Sequence, residues 1–155
     1  MLFYSAKELT TKQHYKFLTG SIIPRPIAWI TTINQETNIV NAAPFSYFNV
    51  VAKDLPLVSL SINRNNQKIK DTARNLLQQK EGVIHLVNDK VLAEMNQTSA
   101  SLPADESELA KTSLTLVDSQ EVTVPAILDA PIRFEVRLHQ HIPVKDHNDT
   151  IISDL

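Results

Sequence analysis

The stretch Ile132-Arg-Phe-Glu-Val-Arg-Leu-His139 decides the fold class. Ile132, Phe134, Val136 and Leu138 alternate with Arg133, Glu135, Arg137 and His139, the period of two of an antiparallel strand with one face inward and the other in water. Upstream the same signature recurs. Residues 27–33, Ile-Ala-Trp-Ile-Thr-Thr-Ile, are β-branched and aromatic, residues 34–38 have turn composition, and residues 39–43 return as a second strand of a hairpin. Residues 57–62 alternate small polar with large apolar side chains, which puts Ser59 and Ser61 on one face, and residues 82–87 read as a buried strand. Between the strands lie short helices. Residues 5–19 predict one ended by Gly20 as a C-terminal cap. Residues 71–80 carry Ala73, Leu76 and Leu77 at helical spacing behind Asp71, which caps the helix and complements its dipole. Two more helical segments, 91–95 and 107–110, flank Pro103. The expectation is a mainly β (α+β) fold: an antiparallel barrel with short flanking helices.

Composition narrows the function. The 155 residues suit one domain, 1–155, and 43% hydrophobic with 21% charged residues is a globular composition. The 15 basic and 17 acidic residues give a net charge of −2 with no basic stripe, so no nucleic-acid partner is expected. The N-terminus lacks a signal-peptide pattern and no apolar run approaches the ~20 residues of a bilayer span, so the reading is a cytoplasmic protein without a membrane segment. Gly20 and Gly82 are the only glycines, which excludes the glycine-rich phosphate loops and the nucleophile elbow. Without cysteine there is no thiol chemistry, so redox chemistry requires a bound cofactor.

Several side chains are candidates for chemistry. His139 and His141 fall on one strand face, but no third metal ligand follows, and a solvated face is the better reading; no metal is expected. Asp146-His147 is an acid–imidazole pair in a loop. Asp105, Glu106 and Glu108 are paired carboxylates best read as a solvated helix start, where the dipole favours acid. Lys68, Lys70 and Arg74 flank Asp71-Thr72 and suit a phosphate at a helix N-terminus. Trp29 is a core anchor on composition alone. Residues 41–49, Asn-Ala-Ala-Pro-Phe-Ser-Tyr-Phe-Asn, mix small, aromatic and hydrogen-bonding residues as an isoalloxazine-sized planar ligand requires.

Residues 21–32 (Ser-Ile-Ile-Pro-Arg-Pro-Ile-Ala-Trp-Ile-Thr-Thr), 41–51 (Asn-Ala-Ala-Pro-Phe-Ser-Tyr-Phe-Asn-Val-Val), 68–75 (Lys-Ile-Lys-Asp-Thr-Ala-Arg-Asn) and 95–99 (Met-Asn-Gln-Thr-Ser), in this order, resemble the flavin reductase-like family with the FMN-binding split-barrel fold. That family includes flavoredoxin and the reductase components of two-component monooxygenases. The resemblance implies an antiparallel split β-barrel, a homodimer with FMN at its interface, NADH or NADPH as co-substrate, and a monooxygenase or other acceptor as electron partner. It also implies site residues. Arg25, Trp29 and Thr31 line the flavin; Asn41, Ser46, Tyr47, Phe48 and Asn49 border ring and ribityl; Ser61 faces the same pocket. Lys68, Asp71 and Thr72 take the phosphate, and Asp146 and His147 approach the nicotinamide. Two departures stand out. The family's closing strand is reduced here to a stub at residues 150–155 without its glycine, implying an open barrel edge, and Leu-Ala-Lys-Thr-Ser at residues 109–113 replaces an Ala-Gly step. The alternative is a shortened FMN-binding flavoprotein with little reductase activity.

Overall fold

The β-branched and aromatic residues around Trp29 form a strand suited to burial on both faces. In the computed structural model, which describes residues 3–100, 102–103 and 106–155, that strand is central. In chain order the elements are α1 (Thr11–Ser21), β1 (Ala28–Ile33), β2 (Val40–Phe45), β3 (Phe48–Ala52), β4 (Leu57–Leu60), β5 (Ile62–Asn63), α2 (Asp71–Gln79), β6 (Glu81–Leu86), α3 (Leu92–Gln97), β7 (Leu116–Val117), β8 (Ala126–Ile127), β9 (Ile132–Arg137), β10 (Pro143–Lys145) and β11 (Ile151–Asp154). Short 3-10 turns occupy Ala6–Glu8 and Glu108–Lys111. The main sheet runs β2-β1-β6-β9, a second runs β10-β11-β5, and β3-β4 and β7-β8 pair separately. Every one of these pairings is antiparallel. The architecture is mainly β, an antiparallel split barrel with short flanking helices.

Register assigns the two faces of the main sheet. Thr31 pairs with Ala42 and Val83, and Trp29 with His85, so these side chains share one face. There Trp29 and Ala42 pack with Val91, Met95 and Ile127, and Val83 packs with Val122, Val124 and Ala126. On the other face Ala28, Ile30 and Ile84 pack against Phe48, Leu60 and Leu76, which brings α2 and the β3-β4 hairpin onto the sheet. Gly82 lies on this second face. A Cβ there would come within 3.1 Å of Leu76 Cδ2 and 3.2 Å of the Thr31 carbonyl, so a side chain at this position would press α2 and β1 apart by a few tenths of an ångström.

Several expectations are corrected. α1 continues through Gly20, and its C-terminal cap is Ile22, whose N–H reaches the Leu18 carbonyl. Asp71 is the first residue of α2, not its cap; Lys70 holds that position, and the Asp71 carboxylate pairs with Arg74 at 2.5 Å. Ser46 and Tyr47 link β2 to β3, where Phe48 and Val50 pair with Leu60 and Val58. On β9, Ile132, Phe134 and Val136 do share a face, but β9 is an edge strand; Ile132 and Phe134 remain exposed and only Val136 is half-buried. His139 and His141 lie beyond the end of β9, and His141 Nε2 meets Asp154 at 3.0 Å. The stub at residues 150–155 is not an open edge: β11 is hydrogen-bonded on both sides, to β10 and to β5.

Candidate functional site

Lys70, the N-cap of α2, makes no side-chain cap bond, and among the described residues no other side chain bonds the first-turn amides. Those N–H groups, at the positive end of the helix, therefore remain available to an anion. They open on a cleft of about 170 Å³ whose lining includes Asn41, Phe45, Lys70, Asp71, Thr72 and Glu108. Lys70 Nζ stands 5.6 Å from the centre of the Phe45 ring, a cation–π contact at the rim. Beneath runs a buried polar chain. Thr72 Oγ1 donates to Asn41 Oδ1 at 2.9 Å, and Asn41 Nδ2 donates to both carboxylate oxygens of Glu108, at 3.0 and 2.8 Å. Asn75 Nδ2 continues the chain to Thr32 Oγ1 at 3.2 Å, while Asn75 Oδ1 is buried without a hydrogen-bond partner among the described residues.

Glu108 corrects the reading of a solvated acidic helix start. It is 7% exposed, and burial pushes its carboxyl above the usual range, with the charge of Asp71 adding to the effect. Glu106 is exposed, as that reading requires, and Asp105 lies outside the described residues. Ser107 explains the inward turn, since its hydroxyl donates to the Val40 carbonyl at 2.5 Å and accepts from Leu109 N–H. A lone glutamate in an acidic run carries no sequence mark of this burial.

The remaining candidates fall into four places. Trp29 and Thr31 are wholly buried: the indole N–H donates to Thr98 Oγ1 at 2.9 Å and the Thr31 hydroxyl to the Pro125 carbonyl at 2.8 Å. Neither offers a surface to a ligand, so both are corrected to core positions. Arg25 caps the end of α1, donating to the carbonyls of Thr19 and Ile22, and its Nε reaches Ser46 Oγ at 3.4 Å. Ser46, Tyr47 and Phe48 follow β2 and are half-buried, while Asn49 is exposed. Ser61 N–H donates to the Tyr47 carbonyl, and the Ser61 hydroxyl meets that of Ser153 at 2.8 Å. Lys68 is exposed in the turn where Asn65 and Lys68 bond each other's backbone. Asp146 and His147 are exposed in the β10-β11 connection. The Asp146 carboxylate accepts the N–H groups of Asn148 and Thr150, so it shapes its own turn, and no hydrogen bond joins it to the imidazole among the described residues.

A second, larger groove of about 420 Å³ lies between β4, α2 and the chain after β9, with mainly apolar walls including Leu57, Leu60, Leu76 and Ile142. Asp154 sits at its edge, accepting two bonds from Arg64 at 2.8 Å. Of the candidate residues, Asn41, Lys70, Asp71, Thr72 and Glu108 line the smaller cavity, and His139 and His141 line the larger one. Among the described residues no group of three metal-ligating side chains comes together, and no helix is long and apolar enough to cross a membrane.

An antiparallel split barrel with a polar cleft at an uncapped helix start defines a class, and comparison with known proteins agrees. The flavin reductase like domain matches residues 19–152. The chain belongs to this family. An uncharacterized protein of Bacillus subtilis, YwrF, is 45% identical over all 155 residues, which span 75% of that relative's length. Nitrilotriacetate monooxygenase component B from Bacillus cereus is similar at 42% identity and a TM-score of 0.95, over 99% of this chain and 76% of that one. The 2-nitrobenzoate 2-nitroreductase of Pseudomonas fluorescens is similar at 30% identity and a TM-score of 0.86, over 99% and 71%.

Proposed function

We propose that this chain is an NAD(P)H-dependent flavin reductase-type oxidoreductase that binds FMN and delivers electrons to an acceptor, such as the oxygenase of a two-component system. The observation that carries the reading is the uncapped start of α2, with Lys70 at the rim and the Thr72 and Asn41 side chains within. Backbone N–H groups at a helix start and a lysine are a donor set for a phosphate dianion in a chain without a glycine loop. The residues therefore fit the polar end of FMN. A volume of about 170 Å³ is below the ~300 Å³ of sites that enclose a drug-sized ligand, which leaves the ring system outside the cleft. Half-buried Ser46, Tyr47 and Phe48, on the chain leaving β2, are the group assigned to the ring. When bound, FMN supplies hydride-accepting chemistry that no side chain of this protein offers.

The protein's part is to hold and orient. Arg25, fixed by two carbonyls of α1, keeps Ser46 in place; Asn49 and Ser61 border the same stretch. His147, free of the turn that engages Asp146, is the group of that pair proposed to approach the nicotinamide. A second copy of the chain covering the exposed apolar side chains Ile132 and Phe134 is the homodimer expected of this reading. The test is an anaerobic FMN titration by fluorescence quenching, followed by NADH and then NADPH. Tight binding with bleaching of the visible flavin band is the expected result. Failure to bind FMN overturns the flavin reading, and binding without bleaching by either nucleotide overturns the reductase step.

A further inference from the structure

Among the described residues no cation pairs with the Glu108 carboxylate. It lines the same cleft as Lys70, Asp71 and Thr72, is 7% exposed, and is held from one side by Asn41 Nδ2 at 2.8 and 3.0 Å and by the Ala42 N–H at 3.4 Å. These are neutral donors. The chain of bonds from Glu108 through Asn41 to the Thr72 hydroxyl ends in the first turn of α2, so the carboxyl and the proposed phosphate share one short polar path.

The surrounding charges leave it unbalanced. From α2 and its cap, Asp71 and Lys70 face the cleft, and Asp71 is already engaged by Arg74 at 2.5 Å. From β2 the side chains are Asn41, Ala43, Pro44 and Phe45, and from the segment after α3 they are Thr98, Ser99, Ala100 and Leu102, none of them titratable. On its own turn, Glu106 and Lys111 are exposed. Among the described lining residues Lys70 is the single cation set against the charge of Glu108. A phosphate dianion added beside an ionised Glu108 would leave two unmatched negative charges, whereas a proton on Glu108 reduces the excess by one.

We propose that the cleft takes the phosphate of its flavin together with one proton, which Glu108 holds, so that FMN affinity is linked to pH through this residue. The proposal rests on the flavin reading above. Burial and the facing Asp71 already bias Glu108 toward its protonated form before any ligand arrives. The sign follows directly. Where Glu108 is ionised in the free protein and protonated in the complex, affinity falls as pH rises, by up to tenfold per pH unit for one proton.

The experiment compares Kd for FMN and for riboflavin between pH 5.5 and 8.5 in the wild type and in Glu108→Gln. The amide keeps one acceptor for Asn41 and cannot ionise. The second ionisation of the FMN phosphate, with a pKa of about 6, affects both proteins alike and cancels in their ratio. The expected result is that wild-type FMN affinity falls away from that of Glu108→Gln as pH rises, approaching tenfold per unit, while the two riboflavin profiles stay parallel. Parallel FMN profiles, or the same divergence with riboflavin, overturn the proton linkage and leave the flavin reading intact. Absence of FMN binding by the wild type overturns both. Should Glu108→Gln fail to fold, calorimetry of the wild type at pH 8 in two buffers of different ionisation heat gives the same answer: close to one proton taken up with FMN and none with riboflavin. No uptake with FMN overturns the proposal.

Discussion

Nδ1 of His85 lies 2.9 Å from the carbonyl oxygen of Trp29, and the two rings meet edge to face with centroids 5.9 Å apart. On the far side of the imidazole, Nε2 accepts the Ile127 N–H at 2.9 Å. An accepting nitrogen carries no proton, so the tautomer is fixed with hydrogen on Nδ1, and the ring is neutral. Burial holds its pKa down to about 4, against an ordinary value of 6.5. Above pH 6.5 this contribution to stability is fully present; between 6.5 and 4 the unfolded chain takes up a proton that the fold refuses, and the contribution is lost. At 1.36 kcal/mol per pKa unit, the loss over that window is about 3 kcal/mol. Urea unfolding at pH 7.5 and 4.5 should show it, and the His85 Cε1–H resonance should not titrate above pH 5. Equal stability at the two pH values would contradict the assignment.

Gly82 separates α2 from the sheet by the width of one methyl group. Gly82→Ala would set a Cβ 3.1 Å from Leu76 Cδ2, 3.2 Å from the Thr31 carbonyl and 3.3 Å from Ile30 Cδ1. The backbone oxygen cannot yield as a flexible side chain can. Overpacking of this kind costs about 1–3 kcal/mol. The expected outcome is a lower urea midpoint with an unchanged m-value, and an unshifted midpoint would mean that α2 moves outward freely.

Two lysines compete for the phosphate. Lys70 lines the cleft beside Asp71 and Thr72, and its ammonium stands over Phe45; Lys68 is exposed in the preceding turn. Lys70→Ala should weaken FMN by about tenfold, the size of a charge-assisted contact, and leave riboflavin unchanged. Lys68→Ala should have the smaller effect. The reverse order, measured by fluorescence quenching, would transfer the phosphate contact to Lys68.

What the sequence makes legible follows from what it can encode locally. The periodicity of β1, β6, β9 and α2 identifies those elements, and the run of residues 68–75 marks the cleft. β3, β7, β8, β10 and β11 are two to five residues long, too short for a period to register. Their pairings are long-range. Trp29 and Thr31 show a different limit: strand alternation says that they share a face, but whether that face meets a ligand or Val124 and Ile127 depends on a segment some ninety residues later, whose Pro125 carbonyl takes the Thr31 hydroxyl. Glu108 is the converse, an acid in an acidic run whose burial is decided by Asn41. Asp146 was legible as a loop acid but not as the acceptor that closes its own turn.

Asp154 ties the last strand to the body of the protein. Its carboxylate is 4% exposed, accepts two bonds from Arg64 at 2.8 Å each, and meets His141 Nε2 at 3.0 Å, which joins β5, β11 and the segment after β9. The Arg64 bonds hold its pKa below the ordinary 3.8 despite burial, with His141 adding to the effect. A carboxylate depressed in this way contributes stability above pH 3.8 and loses it as pH falls through its lower folded value. That window lies beneath the one belonging to His85, so the two separate in an acid titration. Asp154→Asn should therefore unfold at lower urea than the wild type at pH 7, because Arg64 is left without its anion. The gap between the two proteins should then narrow as the pH falls below 3.8. A gap that stays constant down to pH 2.5 would show that the variant loses packing rather than a charge-assisted bond.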